Sequence, residues 1–321
     1  MTNPTTHAAG IDIGKHTLDF AIHGLPVHLT VENRRSGWRR IVTELRKAGV
    51  ERVGLEATGG YERGVVDYLR AAGFSVLVLQ PLQVKAYARL HLRRAKSDPL
   101  DGPLIAACTA AIEASPAPPD PRLAPLVDAL TFVEQIEDEL ARLQTRLEHI
   151  ELPRFRRLVM ADIRRLEARR RAELRRIVQA VGGHDDLRRR LHLIQSIPGI
   201  GERTALALLL RMPELGRLSR EQAAALAGLA PFDDDSGLHR GQRHIAGGRK
   251  RLRRALYAAA LPAAFQWNPA CIALYKRLTA KGKTHKEALV ACARKLLIFA
   301  NTVVARGTPW TDRTASAGLA G

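Results

Sequence analysis

Asp12, Glu56, Asp98 and Asp101 are four carboxylates spread over the first third of the chain, in AGIDIGKHTLDFAI, RVGLEATGGY and KSDPLDGPLIA. Each is flanked by apolar residues, so each places a charge at the edge of a core. Burying a carboxylate is costly unless a cation or hydrogen-bond donors compensate. Oxygen donors of this kind suit hard divalent cations, Mg²⁺ or Mn²⁺. Two such ions about 3.5–4 Å apart could activate an attacking oxygen and stabilise the leaving one at a phosphodiester.

A second group of residues surrounds Ser236. The segment Gly228-Leu229-Ala230-Pro231-Phe232-Asp233-Asp234-Asp235-Ser236-Gly237 is followed by Arg240 and Arg243. A Ser-Gly pair in a loop is ordinarily a turn. This serine, however, precedes the densest cationic segment of the chain. A serine nucleophile needs a base or a metal to activate it, and arginines could neutralise charge developing at phosphorus. The aspartates 233–235 read as a solvated acidic loop. Further on, Gly247-Gly248-Arg249-Lys250-Arg251-Leu252-Arg253-Arg254 leads from glycines into a helix with five cations. A solvated helix face is the plain reading. The near absence of acids favours phosphate contacts through Arg240, Arg243, Arg249, Lys250 and Arg253, with affinity that falls steeply as salt rises.

The whole-chain charge agrees. Lys and Arg number 51 against 32 Asp and Glu, for a net charge of +19 and a pI near 10.8. Such a charge points to a polyanionic partner, although a ribosome-associated or membrane-surface protein would share it. From Ser236 to Arg306 there are 15 Lys or Arg and one acid, Glu287, which is 15 − 1 = +14 of the total. A second cluster, Arg154 to Arg176, holds ten arginines against Asp162, Glu167 and Glu173. Nucleic acid is therefore expected on the middle and C-terminal parts. The cysteines, Cys108, Cys271 and Cys292, form no C-x-x-C pair, which argues against a disulfide scaffold or a zinc ribbon. No apolar run is read as long enough to span a bilayer and no secretory signal is seen, so a cytoplasmic location is expected.

The elements that must hold these residues follow from periodicity. Residues 8–32 read as short strands joined by turns, with Ala9–Ile13, Leu18–Ile22 and Val27–Val31 extended. An amphipathic helix follows over about Ser36–Ala48, with Trp38, Ile41, Val42 and Leu45 on one face. Glu51–Glu56 is a strand ending in Ala57-Thr58-Gly59-Gly60, a helix runs to Ala72, and Phe74–Leu79 is the next strand. Three antiparallel strands and then alternating helix and strand is the order of the RNase H fold. That order puts the first carboxylate on the first strand, the second at the end of the fourth, and the last two on a late helix. Asp98 and Asp101, at i and i+3, would share a face of it, and Pro103 is compatible with a shifted helix start.

The Pro-rich run 115–121 closes a first domain of residues 1–120. Beyond it Leu126, Leu130, Val133, Ile136, Leu140, Leu143, Leu147 and Ile150 fall at spacings of three and four, a seam of coiled-coil character. Pro153 interrupts it before an arginine-rich helix. Residues 121–190 are thus a helical arm, either an intramolecular hairpin or a dimerisation element. Ser196-Ile197-Pro198-Gly199-Ile200-Gly201 opens a helix and reads as the hairpin of a helix-hairpin-helix unit, with backbone N–H groups that suit a phosphate. A second helix starts at Ser219, where Gln222 completes a capping box. Residues 191–307 form an all-α C-terminal domain, and 308–321 a disordered tail.

Together these motifs resemble one family of bacterial transposases, the insertion-sequence family one-hundred-and-ten with its DEDD nuclease motif. The likeness spans nearly the whole chain. It rests on GIDIGKHTLDFAI, LEATGGYE and AKSDPLDGPLIA, then IPGIGERTALALL, LAGLAPFDDDSG, RLRRALYAAAL, NPACIALYKRLTAKGK and EALVACARKLL. The resemblance implies a RuvC-like, RNase H-fold domain whose metal-binding tetrad is Asp12, Glu56, Asp98 and Asp101. It implies a C-terminal domain whose nucleophile is Ser236, forming a phosphoserine link to DNA within a composite site. It further implies donor and target DNA and a structured bridge RNA as partners, and a dimer of dimers. The leading expectation is a Mg²⁺-dependent, RNA-guided DNA transposase or recombinase. The alternatives are a Holliday-junction endonuclease in which water attacks and Ser236 is a turn, and a helix-hairpin-helix binding protein without catalysis.

Overall fold

A computed structural model describes residues 7–91, 101–112, 120–232, 244–245 and 247–311, in two compact units that divide between Pro118 and Pro119. In the first unit β1 (Ala8–Ile13), β2 (Thr17–Ile22) and β3 (His28–Glu32) form an antiparallel meander. Helix α1 (Arg35–Lys47) leads to β4 (Arg52–Glu56), and α2 (Arg63–Ala71) leads to β5 (Ser75–Leu79). β4 pairs parallel to β1 and β5 parallel to β4, giving the order β3-β2-β1-β4-β5. This mixed sheet is compatible with the expected RNase H-like arrangement.

Alternation along the strands decides what each face receives. Ala9, Ile11, Ile13, Leu18, Phe20, Val53 and Leu55 pack with Ile41, Val42 and Leu45 of α1 and Val65, Val66 and Leu69 of α2. The opposite face receives α4 (Asp101–Ala111), which lies against β1, β2 and β4 and packs with α3 (Pro81–Leu90). Gly10 and Gly54 make that approach possible. A Cβ on Gly10 would overlap backbone of Gly102 and Ala106, and one on Gly54 would overlap the buried Thr109.

The second unit is almost wholly helical. Helices α5 (Leu123–Glu148) and α6 (Pro153–Gly182) form an antiparallel hairpin whose seam includes Ile136, Leu140, Ile163 and Leu166. Pro153 sits at the first turn of α6, where its missing N–H costs nothing. After α7 (Asp185–Gln195), α8 (Glu202–Arg211) is buried from Thr204 to Leu210, as an all-round apolar helix must be. Around it lie α9 (Arg220–Ala227), α10 (Lys250–Pro262), a π-helical turn (Ala263–Trp267), α11 (Pro269–Ala280) and α12 (His285–Arg306). The Ser219 hydroxyl accepts the Gln222 N–H at 3.2 Å while Gln222 Oε1 accepts the Ser219 N–H at 2.9 Å, the capping box read from the sequence.

Two expectations change. Helix α12 is long and apolar enough to cross a membrane by length and composition, contrary to the sequence reading; half of its apolar window is buried in the protein core, among Leu289, Cys292, Leu296, Ala300 and Val303. Packed chain also extends past residue 307, because the Trp310 ring lies 4.2 Å from that of Phe299 and the Trp310 backbone N–H donates to Ser196 Oγ at 2.7 Å. Residues 312–321 lie outside the described residues.

Candidate functional site

Since Ile11 and Ile13 face α1 and α2, Asp12 between them faces the α4 side of the sheet. It stands directly across from Asp19 on β2. On its other side Ile11 pairs with Leu55, so Asp12 and Glu56 follow as neighbours at the ends of two parallel strands. Both carboxylates are half-buried, and Asp12 Oδ1 accepts the N–H of Ile13 at 2.9 Å. Glu56, Asp12 and Asp19 thus form a row across three adjacent strands on one face.

Asp101 is the first residue of α4, the helix laid on that same face. The next residue, Gly102, abuts Asp19: a Cβ there would lie 3.1 Å from the Asp19 carbonyl oxygen and 3.2 Å from its Oδ2. The start of α4 is therefore brought to the carboxylate row. The side chain of Asp101 and the whole of Asp98 lie outside what the structure describes. Among the described residues no group of three His, Cys, Asp or Glu is close enough to hold a metal ion. Asp12 and Glu56 remain a pair of hard oxygen donors side by side, a donor set that fits a divalent cation.

Asp19 escaped the sequence reading. Its carboxylate meets His28 Nε2 at 2.8 and 2.9 Å and accepts from the Thr30 hydroxyl at 3.1 Å. The signal was present in TLDFAI, where alternation puts Asp19 on the face opposite Leu18 and Phe20. Glu62 was also missed. Its Oε2 accepts N–H groups of Gly60 at 2.8 Å and Thr58 at 3.3 Å and the Thr58 hydroxyl at 3.0 Å. It thereby fixes the turn that follows Glu56. Burial pushes the Glu62 carboxyl up, but these hydrogen bonds outweigh it and hold it below the usual glutamate range.

In the second unit β6 (Pro231–Phe232) pairs antiparallel with β7 (His244–Ile245), closing the base of the segment that holds Ser236. Arg253 Nη1 donates to the Gly228 carbonyl at 3.1 Å and the Gly247 carbonyl at 2.7 Å, tying the two flanks of that segment. Gly228, at φ 69°, ends α9 in the left-handed region. Asp233, Asp234, Asp235, Ser236, Arg240 and Arg243 lie outside the described residues. Arg249 makes a bidentate pair with Glu214 at 2.7 and 2.8 Å and donates to the Arg211 carbonyl at 2.9 Å. Arg251 pairs with Glu134 at 2.7 Å and Arg254 with Asp138 at 2.6 Å. Lys250 is exposed at the start of α10. The cationic helix thus spends much of its charge on partners inside the protein.

Comparison with known proteins decides the family. Residues 9–150 match a family described as Transposase, the DEDD type of IS110, and residues 191–276 match the Transposase IS116/IS110/IS902 family. This chain belongs to the IS110 transposase family. A pilin gene-inverting protein of Moraxella bovis is 28% identical over 316 residues, covering 95% of this chain and 97% of that protein. Its counterpart in Moraxella lacunata is 28% identical over the same span. An uncharacterized 43.6 kDa protein of insertion element IS110 in Streptomyces coelicolor is 34% identical over 124 residues, 38% of this chain and 30% of that protein. As a member of the IS110 family the chain is a transposase or recombinase enzyme, and its substrates are DNA. DEDD transposases in general depend on a divalent metal, in keeping with the donors on β1 and β4.

Proposed function

We propose that this transposase is a Mg²⁺-dependent recombinase in which Asp12, Glu56, Asp98 and Asp101 hold the metal and Ser236 is the nucleophile. The observation that carries the reading is the position of Asp12 and Glu56, each one residue beyond the Ile11–Leu55 pair on neighbouring strands, with the helix that begins at Asp101 laid on the same face. The first unit is read as RuvC-like, α5–α6 as a coiled-coil arm for dimer or tetramer assembly, and α7–α8 with their turn as part of a helix-hairpin-helix. A structured guide RNA is the further partner, and the enzyme works beside DNA in the cytoplasm. The Moraxella relatives are named for inverting a gene, which is recombination between two DNA sites and the same class of reaction.

In the proposed step Ser236 Oγ attacks a DNA phosphorus. An O–P bond forms, the bond from phosphorus to one sugar oxygen breaks, and that oxygen leaves as a hydroxyl after taking a proton. The serine proton passes to a base. A hydroxyl of the other DNA partner then attacks the phosphoserine, making the exchanged strand and returning the serine. The divalent metal, when bound, supplies charge stabilisation at the phosphate oxygens. Lys250, Arg240 and Arg243 contact phosphates; Arg249 and Arg253 do so only with the donors left by Glu214 and by the Gly228 and Gly247 carbonyls.

The test is an adduct assay. Protein, Mg²⁺, donor and target DNA and the flanking element RNA are mixed and resolved under denaturing conditions. A protein–DNA band is expected, lost in both Ser236→Ala and Asp12→Asn. Cleaved DNA without an adduct, still dependent on Asp12, would establish the hydrolytic junction-endonuclease alternative instead. No adduct and no cleavage from the wild-type protein with Mg²⁺, and binding that needs no metal and is unchanged after neutralisation of all four carboxylates, would leave only a binding protein.

A further inference from the structure

The π-helical turn between α10 and α11 presents large rings to solvent. Ala263 and Ala264 anchor it in the core, while Phe265 is 56% and Trp267 57% exposed. Extra-wide helical turns of this kind cluster at functional sites. The turn is also held rigidly. The buried Asn268 donates through Nδ2 to the Pro198 carbonyl at 3.0 Å, and its Oδ1 accepts the Cys271 N–H at 3.1 Å. Gly199, at φ 93°, packs so closely on Ala263 that a Cβ would overlap it. Trp267 and Pro262 thereby form a hollow of about 340 Å³ with Gly199, Ile200 and Gly201 of the α7–α8 turn.

Further rings gather around Phe265. Phe265 lies 4.9 Å from Tyr275 and 6.1 Å from His285, near-parallel to the latter, and the Tyr275 hydroxyl bonds His285 Nδ1 at 2.7 Å. The chain from Phe265 to Lys286 carries Lys276, Arg277, Lys281, Lys283 and Lys286 and no Asp or Glu. Phe265, Trp267 and His285 are exposed, while Tyr275 is half-buried against the core and backs the other rings. Exposed rings beside cations on a rigid support are the chemistry of single-strand binding: cations follow the backbone and rings stack on bases. A duplex hides its base faces in its own stack and would use only the cations.

We propose that Phe265, Trp267 and His285, backed by Tyr275, present rings that stack unpaired bases of single-stranded DNA. The enzyme acts on DNA, and exchanging strands between two duplexes must unpair bases next to the exchange point. The proposal rests on family membership and the surface itself, independently of the serine mechanism. Binding needs neither metal nor Ser236, so failure here is distinct from failure of the adduct assay.

The experiment measures binding of labelled oligo(dT), oligo(rU) and a duplex to the full-length protein by fluorescence anisotropy without metal. Phe265→Ala with Trp267→Ala is expected to weaken oligo(dT) binding by about 5- to 150-fold per lost stacking contact, and duplex binding by less than about twofold. Oligo(dT) should quench tryptophan fluorescence, and Trp267→Phe should keep the affinity while losing most of the quenching. Unaltered oligo(dT) affinity overturns the proposal. Equal losses on duplex and single strand overturn it also, as a general loss of charge or fold. Loss on oligo(rU) alone would transfer the platform to RNA. If the double variant melts early, the single Trp267→Ala variant carries the test, since that ring is exposed.

Discussion

The two units handle negative charge in opposite ways. In the first, Asp12 and Glu56 are half-buried at the ends of neighbouring strands, and Asp19 across from Asp12 is held by His28 and Thr30 on its own sheet. In the second, Glu134 is 1% exposed and is neutralised within the protein by Arg211 at 2.8 Å and Arg251 at 2.7 Å, with Arg203 at 3.9 Å. Arg203 in turn grips Glu137. This network fastens α5 to α8 and α10. A carboxylate ringed by guanidinium groups is committed to structure; the half-buried pair at the strand ends is the one proposed above to take a cation. Under the proposed assignment the contrast is one of catalysis against stability, and each side can be tested.

The largest expected effect is on activity. Asp12→Asn removes one carboxylate charge from the proposed site and should abolish recombination while leaving the melting temperature close to that of wild type. A melting temperature well below wild type would mean that Asp12 is structural, like Glu134, and would erase the contrast. The converse holds in the second unit. Glu134→Ala leaves Arg211, whose side chain is only 12% exposed, without its main counter-charge and should cost roughly 3–5 kcal/mol, read by chemical denaturation. Arg251→Ala, whose head is 45% exposed, should cost only about 1 kcal/mol or less. Equal losses from the two would show that burial does not govern this network.

A smaller effect separates position from charge. Gly10→Ala forces a methyl group into the backbone of α4 and should cost about 1–3 kcal/mol or more. Because α4 starts at Asp101, activity should fall further than stability does. Gly102→Ala meets Asp19 at 3.1–3.2 Å, a milder clash, and should rank below Gly10→Ala in both measurements. The reverse ranking would remove α4 from its assigned role.

Much of this was legible in the sequence, and the exceptions have physical causes. Strands β1 to β5 and helix α1 follow from alternation and from the stripe of Ile41, Val42 and Leu45, which burial alone dictates. The capping box at Ser219 is local chemistry, visible within four residues. Helix α3 was not read, because its apolar residues make only a weak stripe; Pro81 at its first position and the Gln80–Gln83 box were the available signs. The cations of α10 looked free because their partners are distant: Glu214 lies 35 residues from Arg249, and Glu134 is 117 from Arg251. The π-turn carries no sequence mark, since a hydrogen bond shifted by one residue is a tertiary outcome. Asp19 needed strand register, which sets the row and cannot be read from either strand alone.

Glu62 supplies the finest test, for it belongs to neither extreme. Its carboxylate serves structure, as that of Glu134 does, yet its partners are the Thr58 and Gly60 groups in the turn after Glu56. With its folded value held below the ordinary glutamate range, its contribution is fully present above that range and is lost as pH falls through the folded value. Amide hydrogen exchange at Thr58 and Gly60, corrected for intrinsic rates, should therefore lose protection on acidification into and below the glutamate range. In Glu62→Gln, which keeps an acceptor oxygen but no charge, protection should be lower at neutral pH and independent of acidification. Protection that varies with pH equally in both proteins would assign the titration to another group, with Glu56 itself the first to examine. The turn would then be answering to the strand-end carboxylates, and the structural acid Glu62 would not be separable from those proposed to bind metal.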